Sequence, residues 1–434
     1  MDGSQSPCGG GNRRRFLKTT AATGAALASA DRLLAMADAP AASAIPLVTL
    51  GKTGQKVTRL GMGTSISGID RSHVQNCLFA GVRYIDTSES YENTVAEKVV
   101  GEVLERTKMR KDVYLVSKFN KYENARGAAA LKVFETHLGA SLERLRTDYL
   151  DCYYIHGIHS DKTGDPSPAL NMLRDPGVKA AFESLKKAGK IRFAGLSCHD
   201  ARLPEILDAA AEVGWIDQVM IKFNFRDVGG KDRYDDLNRA IDKASKANIA
   251  LVAMKTQSGA AAFPATRKEL EEHGVKVKNL HPTETRVVAL LEKDFKREVA
   301  AIKTVWMDGR MQVVVSEMTN RDQVRENVAA SKQPLTDHEA RLLEEHRDAT
   351  AHLYCHGCGH LCETAARGVP VATVLRYYRY YEAYGKREQA RTLYQALPAA
   401  SRRLIDADLH AAEAACPFGL PVADLVRQAD RRLS

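Results

Sequence analysis

The sequence predicts an α/β protein: a (β/α)8 TIM barrel followed by a small, mainly α-helical domain. From residue 45, short apolar runs alternate eight times with longer amphipathic runs, and such alternation over about 290 residues is typical of a closed barrel of parallel strands. A doubly wound open sheet is the competing architecture, but no Gly-x-Gly-x-x-Gly follows the first predicted strand. Beyond about Leu335 the pattern changes and closely spaced cysteines appear.

The eight predicted strands are short runs rich in Val, Ile, Leu and Tyr, as expected of strands that are buried on both faces. In order they are VTRLGMG, VRYIDT, DVYLVSK, YLDCYYIH, IRFAGLS, DQVMIKFN, ALVAMK and MQVVVSE. Apolar residues at helical spacing lie between them, for example from Leu131 to Arg146 and from Val287 to Met307. A long segment without a clear strand, residues 257–283, follows the seventh strand.

Composition excludes several classes of protein. Of the 434 residues, 44% are hydrophobic and 27% are charged, which is ordinary for a globular protein and excludes disorder or a fibrous repeat. No window offers the roughly 18–20 unbroken apolar residues of a membrane helix, so no stable membrane insertion is expected. The formal charge is +9, but basic and acidic residues are interleaved, and no nucleic-acid partner is predicted.

The first 44 residues resemble a twin-arginine export signal. The stretch NRRRFLKTT contains Arg13 and Arg14, and an Ala-rich, weakly apolar run follows from Thr19 to about Ala30. Targeting signals are not part of the folded domain, so the predicted fold begins after this segment. The resemblance implies a periplasmic protein exported in the folded state, and the alternative is a basic N-terminus with no targeting role.

Four chemistry-bearing residues follow the carboxyl ends of the second, third and fourth strands. Asp86 ends the second strand and Tyr91 comes five residues later, Lys118 ends the third strand, and His156 ends the fourth. TIM barrels place their active sites at this face. These residues lie in the sequence motifs YIDTSESY, YLVSKF and LDCYYIHG. With GVRYIDTSESY, SLERLRTDYLDCYYIHG, KAGKIRFAGLSCHD and QVRENVAA, the stretch from about Leu50 to Asn327 resembles an aldo/keto reductase.

The resemblance implies hydride transfer between a nicotinamide cofactor and a small-molecule carbonyl or alcohol. Tyr91 would be the proton donor. Because a phenol ordinarily titrates near ~10, Lys118 would lower its pKa, and Asp86 would hold Lys118 in place. His156 would hydrogen-bond the substrate carbonyl.

The resemblance also implies a set of cofactor contacts at the ends of the later strands and near the last helix. The expected residues are Ser197, Gln218, Asn224, Met254, Lys255, Thr256, Gln323, Glu326 and Asn327. Cys198 stands where relatives commonly have Asn. Glu317 and Gln323 stand where many relatives present Lys and Arg to the 2′-phosphate of NADP, and an acid there favours NAD. Arg321 and Arg325 are near enough in sequence to keep both NADP and NAD open.

The C-terminal cysteines resemble half of a two-cluster ferredoxin, whose runs read C-x₂-C-x₂-C-x₃-C-P. Cys355, Cys358 and, one place further on, Cys362 match the first three positions of one run, and Cys416, followed by proline, matches the fourth position of the other. Together these four positions would hold one cluster. The positions needed for a second cluster carry Ala365, Asp406, Leu409 and Ala412. The expectation is one 4Fe–4S cluster, with zinc as the alternative.

The sequence thus divides into a signal (residues 1–44), a barrel (45–333) and a ferredoxin-like iron–sulfur helical domain (334–434). The expected function is nicotinamide-dependent carbonyl–alcohol interconversion, with a possible redox partner for the cluster. The alternative is an exported electron-transfer or ligand-binding barrel without hydride chemistry.

Overall fold

A computed structural model describes residues 44–120, 125–161, 165–229, 234–257, 285, 288–289, 296–382 and 386–434. Residues 1–43 of the predicted export signal and residues 258–283 of the long segment after the seventh strand lie outside this part of the chain. Within it, no helix is both long and apolar enough to cross a bilayer.

The predicted barrel is confirmed. Eight parallel strands close in the order β10-β3-β4-β5-β6-β7-β8-β9, with β10 paired to both β9 and β3. An antiparallel hairpin of β1 and β2 precedes the barrel. The strands are β1 Leu47–Thr49, β2 Lys56–Thr58, β3 Leu60–Gly63, β4 Tyr84–Asp86, β5 Tyr114–Phe119, β6 Leu150–Ile155, β7 Ile191–Cys198, β8 Gln218–Lys222, β9 Ala250–Met254 and β10 Val313–Ser316.

Helices cover the outside of the barrel because each carries an apolar stripe that packs on the strands. The sequence pattern from Leu131 to Arg146 corresponds to the helix Ala130–Leu145, whose Phe134, Leu138 and Leu142 are buried. The described barrel helices are Arg71–Phe79, Val95–Thr107, Ala130–Leu145, Ser167–Arg174, Pro176–Lys187, Leu203–Val213, Phe225–Val228, Asp235–Lys246, Arg297–Met307 and Arg321–Ala330.

The amino end of the barrel is filled by aromatic side chains. Tyr84 and Tyr114 stack with ring centroids 5.4 Å apart, and the Tyr154 ring lies against the backbone of β7 at Gly195. A Cβ at that glycine would lie 2.5 Å from the Tyr154 ring, a separation that packed atoms do not adopt. The barrel interior is therefore solid at this end, and its open space lies at the carboxyl end of the strands.

The chain beyond the barrel is helical, as predicted. Its first helix packs on the barrel helix Arg297–Met307 through Leu342 and Leu343, whereas the later helices share a separate apolar core. Its helices are Asp337–Thr350, Gly359–Cys362, Val371–Glu382, Arg387–Gln395, Leu409–Ala414 and Val422–Leu433.

Polar contacts hold this C-terminal segment to the carboxyl face of the barrel. The buried guanidinium of Arg226 donates hydrogen bonds to Thr350 Oγ1 and, at 3.2 Å, to the Arg347 carbonyl oxygen. Lys386 Nζ lies 3.6 Å from a carboxylate oxygen of Glu317, directly after β10. The C-terminal segment therefore helps to enclose the mouth of the barrel.

Candidate active site

The predicted tetrad is assembled at the carboxyl end of the barrel. Lys118 Nζ donates hydrogen bonds to Asp86 Oδ1 at 2.5 Å, to the Thr87 carbonyl oxygen at 2.8 Å and to the Tyr91 hydroxyl at 3.1 Å. The rings of Tyr91 and His156 meet edge to face with centroids 5.5 Å apart. Strands β4, β5 and β6 are neighbours in the barrel, which is why residues 70 positions apart in sequence converge on one point.

A strained turn follows Tyr91. Glu92, Asn93 and Thr94 have φ values of 47°, 50° and 75°. Three successive non-glycine residues with left-handed backbone conformations carry a conformational cost, and proteins concentrate such costs at functional sites. The helix Val95–Thr107 begins directly afterwards. The turn therefore joins Tyr91 to this helix within three residues.

Burial dominates the electrostatics of the tetrad. Desolvation raises the pKa of Asp86 and lowers the pKa of Lys118, and their mutual attraction opposes both shifts. Burial also raises the pKa of Tyr91 well above its ordinary value, and the charges of Asp86 and Glu317 add to the rise. In the resting site the pKa of Tyr91 is therefore raised overall, and the effect of Lys118 on this phenol stays a prediction. The phenol keeps its proton and can donate it.

His156 is electrically neutral and is oriented by two serines. Burial, together with the charge of Lys118, lowers its pKa to about 3. Its Nδ1 lies 3.0 Å from Ser88 Oγ and 3.3 Å from Ser90 Oγ. Both serines belong to the YIDTSESY motif, but their role depends on the position of β6 beside them. A neutral imidazole held in this way has its other nitrogen free to face a ligand.

A cavity of about 910 Å³ opens above the tetrad. Its size is within the range of about 300–1,000 Å³ that is usual for small-molecule and cofactor sites. Seven of the nine predicted cofactor residues line it: Ser197, Met254, Lys255, Thr256, Gln323, Glu326 and Asn327. The volume and the hydroxyl, amide and lysine groups fit an extended polar cofactor beside a small substrate.

Two of the nine predicted cofactor residues, Gln218 and Asn224, do not line this cavity. Gln218 is the first residue of β8 and lies at the opposite, amino end of the barrel, where it accepts a hydrogen bond from Tyr114 and donates one to Tyr84. The side chain of Asn224 is buried away from the cavity, because it caps a short helix and donates to the Tyr354 hydroxyl at 2.6 Å. Met220, two residues after Gln218, is the β8 side chain that lines the cavity.

The predicted adenosine end of the cofactor site is rich in paired polar groups. Asn327 Nδ2 donates to Ser316 Oγ at 3.2 Å, and Gln323 Oε1 accepts from the Thr319 backbone N–H at 2.8 Å. Two arginines nearby could favour NADP as the cofactor. Arg325 pairs with Asp322 at 3.0 Å, and Arg321 Nε donates to Asn76 Oδ1. Glu317 instead influences the tetrad, since its charge acts on Tyr91 and Lys118.

Sequence reasoning missed the contribution of the C-terminal segment to this cavity. Tyr380, Lys386 and Gln389 line it together with Tyr91 and His156. Lys255 Nζ donates a hydrogen bond to the Tyr380 hydroxyl at 2.6 Å. Other tyrosines stand close to Tyr380 in the sequence, and no local pattern marks it as different from them.

The four predicted cluster ligands lie in one neighbourhood. Burial raises the pKa of the Cys362 thiol, and the charges of Cys355, Cys358 and Cys416 add to that rise. All four are free thiols. Across the described ranges, no three metal-ligating side chains stand close enough together to hold a single metal ion. The sulfurs are therefore neighbours without forming a closed set around one point.

Two cations hold the loop that contains the first of these cysteines. Lys222 Nζ, at the end of β8, donates to the His356 carbonyl oxygen at 2.6 Å, and Arg379 donates to the Cys355 carbonyl oxygen at 3.1 Å. Both positive charges favour the thiolate form of Cys355, although burial outweighs them and raises its pKa. Positive charge beside these sulfurs suits an anionic group held by thiolates.

Comparison with known proteins agrees with the architecture. The family model described as the aldo/keto reductase family matches residues 63–348. The chain is 37% identical over 150 residues to methylglyoxal reductase YeaE of Escherichia coli (strain K12), covering 35% of this chain and 46% of that protein. It is 29% identical over 163 residues to L-galactose dehydrogenase of Arabidopsis thaliana, covering 35% of this chain and 48% of that protein.

Among solved structures, an aldo-keto reductase from Bacillus halodurans in its holo form superposes with a TM-score of 0.51 at 20% identity, covering 70% of this chain and 96% of that one. That likeness concerns the fold. The chain spans about half the length of the curated relatives it matches. The family model, by contrast, covers well over half of this chain and includes all four tetrad residues. The chain therefore belongs to the aldo/keto reductase family.

Proposed function

We propose that this protein is an oxidoreductase that interconverts a small carbonyl compound and its alcohol with a nicotinamide cofactor, NADP or NAD. The observation that carries the proposal is the single ammonium group of Lys118, which contacts both Asp86 and the Tyr91 hydroxyl beside His156 and below a cavity of suitable size. The names of the similar proteins, a methylglyoxal reductase and an L-galactose dehydrogenase, describe reactions of this type.

The tetrad residues have distinct tasks in carbonyl reduction. The bound nicotinamide supplies the hydride. The Tyr91 phenol, which its raised pKa keeps protonated, gives its proton to the carbonyl oxygen as that oxygen becomes a hydroxyl. Lys118 stabilises the resulting phenolate through the contact at 3.1 Å, and Asp86 keeps Lys118 charged and in place. Neutral His156 donates a hydrogen bond that orients the carbonyl. Alcohol oxidation uses the same contacts in reverse.

Removal of the Tyr91 hydroxyl tests this mechanism. Tyr91→Phe should reduce kcat for small aldehydes and ketones, methylglyoxal among them, by about 10²–10⁴-fold because a general acid is lost. Binding of NADPH and NADH, measured by fluorescence for both cofactors, should change little. Tyr149→Phe is the matched control, because Tyr149 precedes β6 at the amino end of the barrel and keeps its ring contact with Arg110. Wild-type turnover in Tyr91→Phe contradicts the assignment.

We further propose that Cys355, Cys358, Cys362 and Cys416 hold one 4Fe–4S cluster, which would supply one-electron transfer. Each thiolate of such a cluster binds a different iron, so the four sulfurs need to surround a volume rather than one ion. Zinc is the alternative, but it requires four ligands at about 2.0–2.3 Å from one centre. The neighbouring sulfurs and the cations Lys222 and Arg379 support the cluster.

Metal analysis of anaerobically purified protein separates these alternatives. One cluster predicts about four irons per chain and a Cys416→Ser variant with little iron. Cys77→Ala is the control, because Cys77 is buried in a barrel helix. About one zinc per chain, or an unchanged iron content in Cys416→Ser, refutes the cluster. Iron without any carbonyl turnover in the wild type would instead favour an electron-transfer barrel without hydride chemistry, with an external redox partner.

The division into a signal (residues 1–44), a barrel (45–333) and an iron–sulfur domain (334–434) belongs to the same proposal. Export by the twin-arginine route would deliver the folded protein, with its cofactors bound, to the periplasm. Arg13→Lys combined with Arg14→Lys should leave the protein in the cytoplasm, as fractionation would show. Unchanged export of that variant would exclude the route.

A further inference from the structure

A second tyrosine–lysine pair stands in the same cavity as Tyr91 and Lys118. Tyr380 belongs to the C-terminal helix Val371–Glu382, and its hydroxyl accepts a hydrogen bond from Lys255 Nζ at 2.6 Å. Lys255 follows β9 directly and has a φ of 59°, a left-handed conformation that is uncommon for a lysine. The backbone at the barrel mouth is therefore bent where this lysine meets the C-terminal segment.

Tyr380 lines the cavity that lies above the tetrad. Tyr380, Lys255 and His199 line both the large cavity above the tetrad and a smaller one that Cys355 also lines. They therefore stand between the tetrad and the first cysteine. The Tyr380 ring also packs on Tyr377, with centroids 6.2 Å apart, so the phenol is supported from its own helix.

The electrostatic surroundings of the two phenols differ. Burial alone would raise the pKa of Tyr380, but the charges of Lys255, Arg376 and Lys386 outweigh it and hold that pKa below its ordinary value. Tyr91 has a raised pKa in the same cavity, and the charge of Tyr380 contributes to the rise. One phenol is thus suited to donate a proton, and the other to carry negative charge and accept hydrogen bonds.

We propose that Tyr380, supported by Lys255, is a substrate-contacting residue that accepts a hydrogen bond from a hydroxyl group next to the reacting carbonyl. The inference rests on the proposed function and narrows its substrate class to α-hydroxy carbonyl compounds. It also gives the C-terminal segment a direct part in substrate selection. Lys255 donates to the Tyr380 oxygen and its charge favours the phenolate, which is an acceptor and therefore suits a hydroxyl group.

Hydroxyacetone and acetone form a matched pair of probes, because they differ only by the hydroxyl group. The wild type should favour hydroxyacetone in kcat/KM. Tyr380→Phe should lower the hydroxyacetone-to-acetone ratio by about tenfold to a hundredfold, the usual size of a hydrogen bond to a charged group. Its ring contacts with Tyr377 and Lys255 need only the ring, so the fold is preserved.

Tyr378→Phe is the matched control. Tyr378 lies on the same helix, its hydroxyl donates to Gln428 at 3.3 Å, and it lines neither of these two cavities. Its substrate ratio should equal that of the wild type. An unchanged ratio in Tyr380→Phe, an equal loss toward both ketones, or the same fall in Tyr378→Phe overturns the contact.

An optical titration separates this inference from the proposed function. Tyrosinate absorbance of the wild type minus that of Tyr380→Phe should show one phenol that ionises below the ordinary range, and hydroxyacetone, unlike acetone, should shift this ionisation without cofactor. The positive charges that act most strongly on this phenol are those of Lys255, Arg376 and Lys386, and His199 lines the same two cavities. No turnover of either ketone in the wild type would refute the proposed function. Absence of the hydroxyacetone shift would refute the Tyr380 contact.

Discussion

The buried pair of Asp86 and Lys118 should show strong energetic coupling in a double-mutant cycle. Their side chains are 4% and 1% exposed, and the two charged atoms are 2.5 Å apart. Asp86 Oδ2 has no hydrogen-bond partner in the described part of the chain. Each charge therefore depends on the other for compensation, and removal of either one leaves an unpaired buried ion.

The expected magnitude follows from this burial. Lys118→Met should lower the free energy of unfolding by about 3–5 kcal/mol, the usual cost of breaking a buried ion pair from one side. Asp86→Asn should cost less, because an amide oxygen can still accept from Lys118 Nζ. The double variant should lose less than the sum of the two, with a coupling energy of about 3 kcal/mol. Lys118→Met and the double variant should lose carbonyl reduction because Tyr91 then lacks its charged partner, and Asp86→Asn should weaken it because Lys118 loses the carboxylate that keeps it charged.

Urea unfolding followed by far-ultraviolet circular dichroism measures the cycle. The exposed pair of Lys243 and Glu212, at 2.7 Å with side chains 42% and 49% exposed, provides the control cycle through Lys243→Met and Glu212→Gln. Its coupling should be close to zero, because exposed ion pairs are screened by water and salt. Additive losses at Asp86 and Lys118, or equal coupling in the two cycles, would refute the reasoning.

Two further predictions concern the C-terminal segment. Burial, with the charges of Arg226 and Arg297, lowers the pKa of His346 from 6.5 to about 3, so its contribution to stability is complete above about pH 6.5 and falls as the pH falls toward 3. Between pH 7 and about pH 4.5, His346→Leu should therefore lose about 3 kcal/mol less of its free energy of unfolding than the wild type loses. Urea unfolding measures this loss, and the variant of an exposed histidine, His338→Leu, is the control. Equal losses in His346→Leu and the wild type would contradict the prediction. Arg226→Lys cannot reproduce the hydrogen bonds to Thr350 and the Arg347 carbonyl, and should weaken docking of the C-terminal segment on the barrel by about 2 kcal/mol. Proteolysis within residues 334–434 should then be faster than in the wild type. An unchanged rate would contradict this role of Arg226.

The success and failure of the sequence predictions at the site have a common cause. Asp86, Lys118 and His156 end successive parallel strands, and neighbouring parallel strands bring their carboxyl ends together. Their convergence therefore follows from the order of the strands along the chain. Gln218 does not line the cavity because it begins β8, and a run such as DQVMIKFN does not mark that start. A shift of a few residues along the strand moves a side chain from one end of the barrel to the other.

Properties that depend on surroundings were not accessible from the sequence. The pKa of Tyr91 is raised because desolvation and the charges of Asp86 and Glu317 act in the same direction. The roles of Ser88 and Ser90 depend on the ring of His156, which lies on the next strand but one. Tyr380 has tyrosines on either side along its helix, and only docking on the barrel separates the one that meets Lys255 from those that pack within the C-terminal segment.

The sequence by itself determined the eight strands, the closed barrel and the positions of the four tetrad residues at or after the strand ends, because hydrophobic periodicity and strand order are local properties that the chain carries in one dimension. The tertiary structure alone decided which end of the barrel each residue faces, which charges are desolvated and which part of the C-terminal segment enters the cavity. These depend on the packing of segments distant in sequence: Lys255 and Tyr380 are 125 residues apart, and no local pattern encodes their contact.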